Sequence, residues 1–366
     1  MKHDKKYKFD YFLAVLACIL LIIGILVLAS VSASFSQEKF GRTTYYLFHQ
    51  IFYGLIAGII LGFIAFKIKL SFLRKYAWIF ILINLVFMAL VFIPKMGIVA
   101  GGAPRWINLG LTSFQPSEFL KLTFILYLSA LLSSFLKSKK AFTLVPFLVI
   151  LGVLAVLFSL QSDVSTLLVI ISVGVLMYFS SGFSLWHTAL AILICVGGIY
   201  GLIKIAPYRM KRILVFLNPG IDPMGMGYQI KQILIAVGSG GIFGLGLGMS
   251  VQKFGWIPQT MSDSIFAIFA EETGFVGSTG LIFLFLLLLW RGFRIAKRSH
   301  DKFSQLLAIG ISSWICIQAF TNIGAMIGIL PLTGIPLPFI SYGGSHLVVE
   351  LMGIGILLNI SKSSKK

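Results

Sequence analysis

The sequence predicts an all-α integral membrane protein of ten transmembrane helices, with both termini cytoplasmic and one large extracytoplasmic loop between helices seven and eight. Three observations predict it. Of the 366 residues, 58% are hydrophobic and only 11% are charged, against about 25% charged in an ordinary soluble domain. The apolar residues come in runs near the roughly 20 residues that a bilayer span needs. The basic residues, which give a net charge of +19, fall in short clusters between those runs. That is how membrane topology is written, not how a nucleic-acid surface is built, so a nucleic-acid partner is rejected and membrane lipid is the expected surroundings.

Lipid offers the backbone no hydrogen-bond partner, so each run has to be a helix. The runs are 11–33, 45–66, 73–93, 116–136, 141–160, 163–181, 185–204, 265–290, 303–328 and 339–360, within a single polytopic domain, 1–366. The first, Tyr11 to Val31, is too long for a signal-peptide core and ends at no clear cleavage site, so it reads as a span. Five basic clusters then set the orientation. They are Lys2 to Lys8; Lys67 to Lys75; Lys137, Lys139 and Lys140; Arg291 to Lys302; and Lys362 to Lys366. All five fall on one side, which is therefore cytoplasmic. The segments 34–44, 94–115, 205–264 and 329–338 lie opposite. The longest, 205–264, is rich in glycine and proline yet carries apolar stretches such as Ile230 to Val237. It is expected to form short helices that dip back toward the bilayer, covered by protein or lining a cavity.

Cys18, Cys195 and Cys316 lie singly inside apolar runs, and the five histidines show no ligand spacing, so neither disulfide nor zinc site is indicated. The glycine cluster 238–253 lacks a nucleotide-binding spacing. It reads as tight turns, or as a backbone nest for an oxyanion.

Four polar constellations remain. In GGAPRWINLGLTSFQPSEFLKL, residues 101–122, Pro116 suits the first turn of a helix and puts Glu118 and Lys121 on one face. They read either as an ion pair anchoring the helix end, or as a site where Arg105 and Lys121 meet an anionic headgroup beside Trp106. Gln161-Ser-Asp163 reads as a polar step in which Asp163 caps the sixth helix. In residues 322–350, three prolines within eight residues precede Ser-Tyr-Gly-Gly-Ser345, a rigid turn that either only redirects the chain or lines a site. Glu350, inside the tenth helix, is expected to face the bundle interior. Finally, SDS before an apolar run makes Asp263 either a helix cap or a general base open to a lipid-borne substrate.

Four stretches, PRWINLGLTSFQPSEFLKL, GYQIKQILIAVGSGGIFGLGLGMSVQK, SDSIFAIFAEETGFVG and NIGAMIGILPLTGIPLPFISYGGS, together resemble the SEDS family of bacterial membrane glycosyltransferases over nearly the whole chain. Gly227-Tyr-Gln229 and Gly248 to Lys253 resemble its FtsW and SpoVE branch more than RodA. The resemblance implies polymerisation of lipid II into β-1,4-linked glycan strands outside the cytoplasm, for septal wall synthesis in the FtsW branch or for elongation in the RodA branch. It places the essential aspartate at Asp263 and the Arg-Trp and Glu-x-x-Lys positions at Arg105, Trp106, Glu118 and Lys121. Tyr228, Gln229 and Ser345, within the quoted motifs, complete the expected substrate-binding set. It also implies a class B penicillin-binding protein as transpeptidase partner, with other divisome membrane proteins. The sequence departs from the family pattern at Gln259, which stands where an acid is usual, at Ser264, and at His346 in place of a common serine.

On this reading Asp263 takes the proton of the attacking sugar hydroxyl, while Lys121, Arg105 and one of Arg209, Arg212 or Lys253 neutralise the departing diphosphate. A carboxylate at a helix N-terminus near cations is expected to have a lowered pKa. Asp222, Asp263, Glu271 and Glu272 are too sparse for an all-protein cation cage, which leaves a divalent cation (Mg²⁺ or Mn²⁺) only as one shared with substrate phosphate. The rival class is a lipid II flippase, which buried polar residues such as Asp163 and Glu350 also suit. The enzyme is favoured because the candidate groups cluster on the outer side and no inverted repeat is found.

Overall fold

The computed structural model describes residues 9–363 apart from 95, 101–102, 109, 111, 139–143 and 184. The basic residues at 2–8, 139–140 and 365–366, used above for orientation, lie outside the described residues.

Helix α1 (Tyr11–Phe40) starts where the Asp10 carboxylate accepts the Leu13 N–H at 3.0 Å. It ends at Gly41, whose φ of 66° closes the helix in the left-handed conformation that glycine adopts freely. It therefore runs beyond the expected end at 33 and takes up most of the segment 34–44. The second run is built from α2 (Tyr45–His49), a π-helical stretch over 50–56, and α3 (Ala57–Lys67). Within the π-helical stretch Gln50 is buried, and its Oε1 accepts the Gly343 N–H at 2.9 Å. Then follow α4 (Leu70–Leu90), α5 (Pro116–Ser138), α6 (Val145–Leu160), α7 (Val164–Ser180) and α8 (Leu185–Ile205). The large loop holds α9 (Pro207–Leu217), a 3₁₀ turn at 219–221 and α10 (Met226–Ser239), the short helices expected there. Helices α11 (Ile265–Arg298), α12 (Lys302–Met326) and α13 (Gly344–Ser363) complete the chain.

Two expectations need correction. The protein is not purely helical: β1 (Gly97–Ala100), β2 (Ala103–Asn108) and β3 (Ser113–Phe114) form an antiparallel sheet in order β1-β2-β3. Outside the apolar runs the backbone can pair between strands, so the constraint that forces helices does not apply. The tenth run was expected from 339, but α13 begins only at Gly344, because the proline-rich segment before it stays irregular.

Among the described residues, eight helical segments are long and apolar enough to cross a bilayer. Helices α6 and α7, with 16 and 17 residues, rise only about 24–26 Å at 1.5 Å per residue, below a usual span. In α12 and α13, 78% of the most apolar stretch is buried, against 11% in α8. The first two therefore form the centre of the bundle and α8 its rim. Trp314, Phe266, Phe285 and Phe303 are among the large side chains fully enclosed at that centre.

The two ends of the bundle differ. At one end the Asp10 N–H donates to Ser361 Oγ at 3.0 Å and Arg291 Nε donates to Asp10 Oδ2 at 2.7 Å, which ties together the start of α1 and the ends of α11 and α13. At the other end meet the starts of α5, α7, α11 and α13, the α6–α7 turn and the sheet, and there the candidate site lies.

A candidate active site at the loop end of the bundle

The segment between α10 and α11 carries Asp263 to the edge of a cavity of about 380 Å³. Its backbone is held from a distance. Asn322 Nδ2 on α12 donates to Asp263 O and to Ile335 O, both at 2.7 Å. Ser341 Oγ donates to Ser262 O at 2.5 Å, and the Tyr342 N–H donates to Met261 O at 2.8 Å. The proline-rich segment thus supports the aspartate turn and also lines the cavity, through Leu332, Thr333, Gly334 and Pro336. The segment therefore does more than redirect the chain: it forms part of the cavity wall.

Asp263 is not the cap of α11. The N-cap position falls on Ser264, whose side chain makes no capping bond and instead donates to Pro258 O. The Asp263 residue is 8% exposed, and the Ser262 hydroxyl donates to its Oδ1 at 3.0 Å. Burial holds its carboxyl above the ordinary carboxylate range, against the Ser262 hydrogen bond and the charge of Arg212, which pull it down. This reverses the expected sign. Loss of water outweighs the nearby charge and the hydrogen bonds to the carboxylate, including those from backbone N–H groups of Asp263 and Ser264.

Of the residues expected at the site, Arg105, Trp106, Glu118, Arg212 and Gln229 line the same cavity as Asp263. The others do not. Lys121 lies beneath Glu118, 2.7 Å from its Oε2, donates to Gln318 Oε1 at 2.7 Å and sits over the Trp314 ring. An ammonium this buried needs a carboxylate beside it, and the ion-pair alternative is the one realised. Arg209 spends its guanidinium on Leu202 O at 2.6 Å, Ser159 O at 3.3 Å and the Tyr208 hydroxyl. Lys253 is buried against Glu272 at 3.1 Å, Gly248 O and Ser30 Oγ. Tyr228 turns to the opposite face of α10, into a separate pocket with Lys231. Ser345 accepts from the Gln115 N–H and lies 3.4 Å from Ser113 O, tying α13 to the sheet.

The cavity cations differ in how far they are committed. Arg105 donates through Nε to Gln161 O at 2.9 Å and through Nη2 to Ser162 O at 2.7 Å, bracing the α6–α7 turn. Arg212, half-buried on α9, has neither an ion pair nor a hydrogen bond to any of the described residues. It is the cation that can take an incoming anion without surrendering a protein partner.

Sequence reasoning passed over several lining residues. Asp163 caps α7 as expected, accepting the Thr166 N–H and hydroxyl, but it also faces the cavity. Tyr342, His346 and Gln259 line it too; their only signal was proximity to the proline-rich turn and departure from the family pattern. The acids named for a shared cation are dispersed. Asp222 pairs with Lys211, which holds its carboxyl below the usual range. Glu271 accepts from Ser250 and the Val251 N–H, and Glu272 from Lys253 and Ser30. Among the described residues no group of three or more His, Cys, Asp or Glu is placed to hold a metal.

Comparison with known proteins is consistent across sequence and structure. Residues 11–366 match the FtsW, RodA and SpoVE family of cell cycle proteins. Stage V sporulation protein E of Bacillus subtilis strain 168 is 41% identical over 363 residues, covering 99% of each chain. A probable peptidoglycan glycosyltransferase FtsW of Coxiella burnetii is 37% identical over 367 residues, covering 98% of each. Among solved structures, a chain from work on the structural coordination of polymerization and crosslinking by a peptidoglycan synthase complex superposes with a TM-score of 0.79. It is 26% identical, and the match covers 96% of this chain and 97% of that one.

Proposed function

Because the chain belongs to the FtsW, RodA and SpoVE family of cell cycle proteins, we propose that it is a peptidoglycan glycosyltransferase of septal wall synthesis. It polymerises lipid II into β-1,4-linked strands at the outer face of the bacterial cytoplasmic membrane. The observation that carries this reading is the shared cavity, where a buried carboxylate, Asp263, faces an uncommitted guanidinium, Arg212.

The reaction asks little else of the protein. The acceptor sugar hydroxyl gives its proton to Asp263 as its oxygen bonds to the anomeric carbon of the donor. The bond from that carbon to the diphosphate oxygen breaks, and its electron pair leaves with the diphosphate. Arg212 meets that charge, helped by the N–H groups of Arg105 that remain free. In-line displacement turns an α-linked donor into a β-linked product. A carboxylate whose pKa is raised by burial is a better base near neutral pH than an exposed one, and general-base help is worth about 10²–10⁴-fold. Glu118, Gln229 and Trp106 shape the sugar subsites from α5, α10 and β2.

The chain is a multi-pass membrane protein, with eight helices among the described residues long and apolar enough to span. We read α6 and α7 as the remaining two, shortened because their joining turn is drawn onto Arg105 beside the site. With the Arg291 to Lys302 cluster at the end opposite the cavity, the positive-inside rule puts that end, and both termini, in the cytoplasm and Asp263 outside. The transpeptidase partner would be a class B penicillin-binding protein docked through membrane helices, alongside other divisome proteins. The likeness to a chain of a peptidoglycan synthase complex supports this.

The test is polymerisation of purified lipid II by detergent-solubilised protein, where flipping has no meaning. Wild type is expected to form glycan, and Asp263→Asn to remain folded without doing so. Near-normal polymer from that variant removes Asp263 from the chemistry. Translocation in vesicles without polymer from the wild type points instead to a flippase.

A further inference from the structure

Asp263 is the end of a tight turn that begins at Gln259. Gln259 has φ of 56°, in the left-handed region that a non-glycine residue occupies at a cost. The turn that enforces it is well made. Gln259 O accepts the Ser262 N–H at 3.0 Å and lies within 3.4 Å of the Ser264 N–H. This conformation folds the glutamine side chain back over the turn. With its amide nitrogen facing the carboxylate, the orientation in which donor meets acceptor, Gln259 donates to Oδ1 of Asp263 at 2.8 Å and lies 3.2 Å from Oδ2. The other neighbouring side-chain donor is weaker, because Ser262 has one hydroxyl proton to share between Asp263 Oδ1 at 3.0 Å and Gln259 O at 3.2 Å.

We propose that Gln259 is a positioning residue for Asp263: its amide bridges both carboxylate oxygens, fixes their rotation and leaves their remaining lone pairs facing the cavity. This deepens the reading of Asp263 as the base and rests on it. A neutral donor here also favours the ionised carboxylate, offsetting part of the burial that raises its pKa. The usual family acid at this position would do the reverse, setting a second carboxylate beside the first. The other charged or titratable groups facing the cavity are Arg212 from α9, Arg105 from β2, Asp163 from the α6–α7 turn, Glu118 from α5, Tyr342, and His346 from α13. All are unchanged in variants of Gln259, so a shift of the limb in these variants reports the change at position 259. Gln259 itself is exposed, so its loss opens no cavity in the core.

The experiment is the rate of lipid II polymerisation by the purified full chain, followed down the acid limb of its pH–rate profile. Gln259→Gly removes the amide but accepts positive φ, which guards against a variant that merely misfolds. Gln259→Glu keeps size and adds the charge. The acid limb is expected to move to higher pH in both, by about one unit or more for Gln259→Glu and by less for Gln259→Gly, with the loss in kcat and little change in KM. If both variants keep the wild-type limb while Asp263→Asn is inactive, Gln259 does not act on the base. If Asp263→Asn still polymerises, the reading beneath the proposal is wrong, whatever the Gln259 variants do.

Discussion

Arg212 and Lys253 are both cations of the segment between α8 and α11, and the structure puts them to opposite uses. Lys253 is enclosed with Glu272, Ser30 Oγ and Gly248 O, while Glu271 beside it takes the Ser250 hydroxyl and the Val251 N–H. This cluster fastens three parts of the chain: α1, the glycine-rich loop, and α11 just above its break at Gly274, where φ is 68°. There the loop pairs with the helix, Leu245 N–H to Glu271 O and Phe275 N–H to Gly241 O. Around Asp263 the charges face a cavity, and Arg212 is left over. A buried ion with its partners in place holds structure; one that faces open volume without a partner is available for a ligand.

Five substitutions, one of them used only in combination, break or sharpen that contrast. The largest effect is expected from Asp263→Asn, a loss of at least about 10²–10⁴-fold in polymerisation rate with the fold intact. In the wild type the same group sets the acid limb. The base must be ionised, so the rate should fall as pH drops through the raised pKa of Asp263, and that limb should begin above the ordinary carboxylate range. Lys253→Met should act on stability instead, costing about 3–5 kcal/mol by stranding Glu272. Combining it with Glu272→Gln should recover much of that loss, which thermal unfolding in detergent would measure. If Lys253→Met kept full stability but lost donor binding, the two regions would be alike after all. Arg212→Ala should lower kcat/KM for lipid II roughly tenfold to a hundredfold, the worth of a charge-assisted hydrogen bond of about 1.5–3 kcal/mol, and leave the melting temperature in place. Ser345→Ala should do least, costing about 0.5–1.5 kcal/mol of stability by freeing the sheet from α13, with binding affinity for the substrate unmoved.

Much of the fold was legible because lipid removes choices. Wherever the sequence holds about twenty apolar residues the backbone must be helical, and a helix is found in each of the ten runs. Local polar signals also read correctly. Asp163 caps α7 through its own neighbour Thr166, a contact written within four residues of chain. The three-stranded sheet was missed because segment 94–115 lies outside the apolar runs, where strand and loop are both allowed. The length of α1 was missed because Ser34 to Phe40 is polar enough to leave the bilayer and still continue as helix.

The site was harder to read, since spacing shows which ions are present and not which are already spent. Lys121 meets Glu118 one turn away, as its position suggested, but also Gln318 on another helix. Arg105 is claimed by carbonyls of the α6–α7 turn, and Lys253 by Ser30 on α1. By itself the sequence determined the apolar helices and the Asp163 cap of α7, because each depends on local composition or on the solvent around it. Only the tertiary structure decided that Arg212 has no partner among the described residues, that Asp263 faces a cavity rather than capping a helix, and that its pKa rises instead of falling. Those outcomes depend on partners and on desolvation supplied by segments distant in the chain, and no local pattern encodes them.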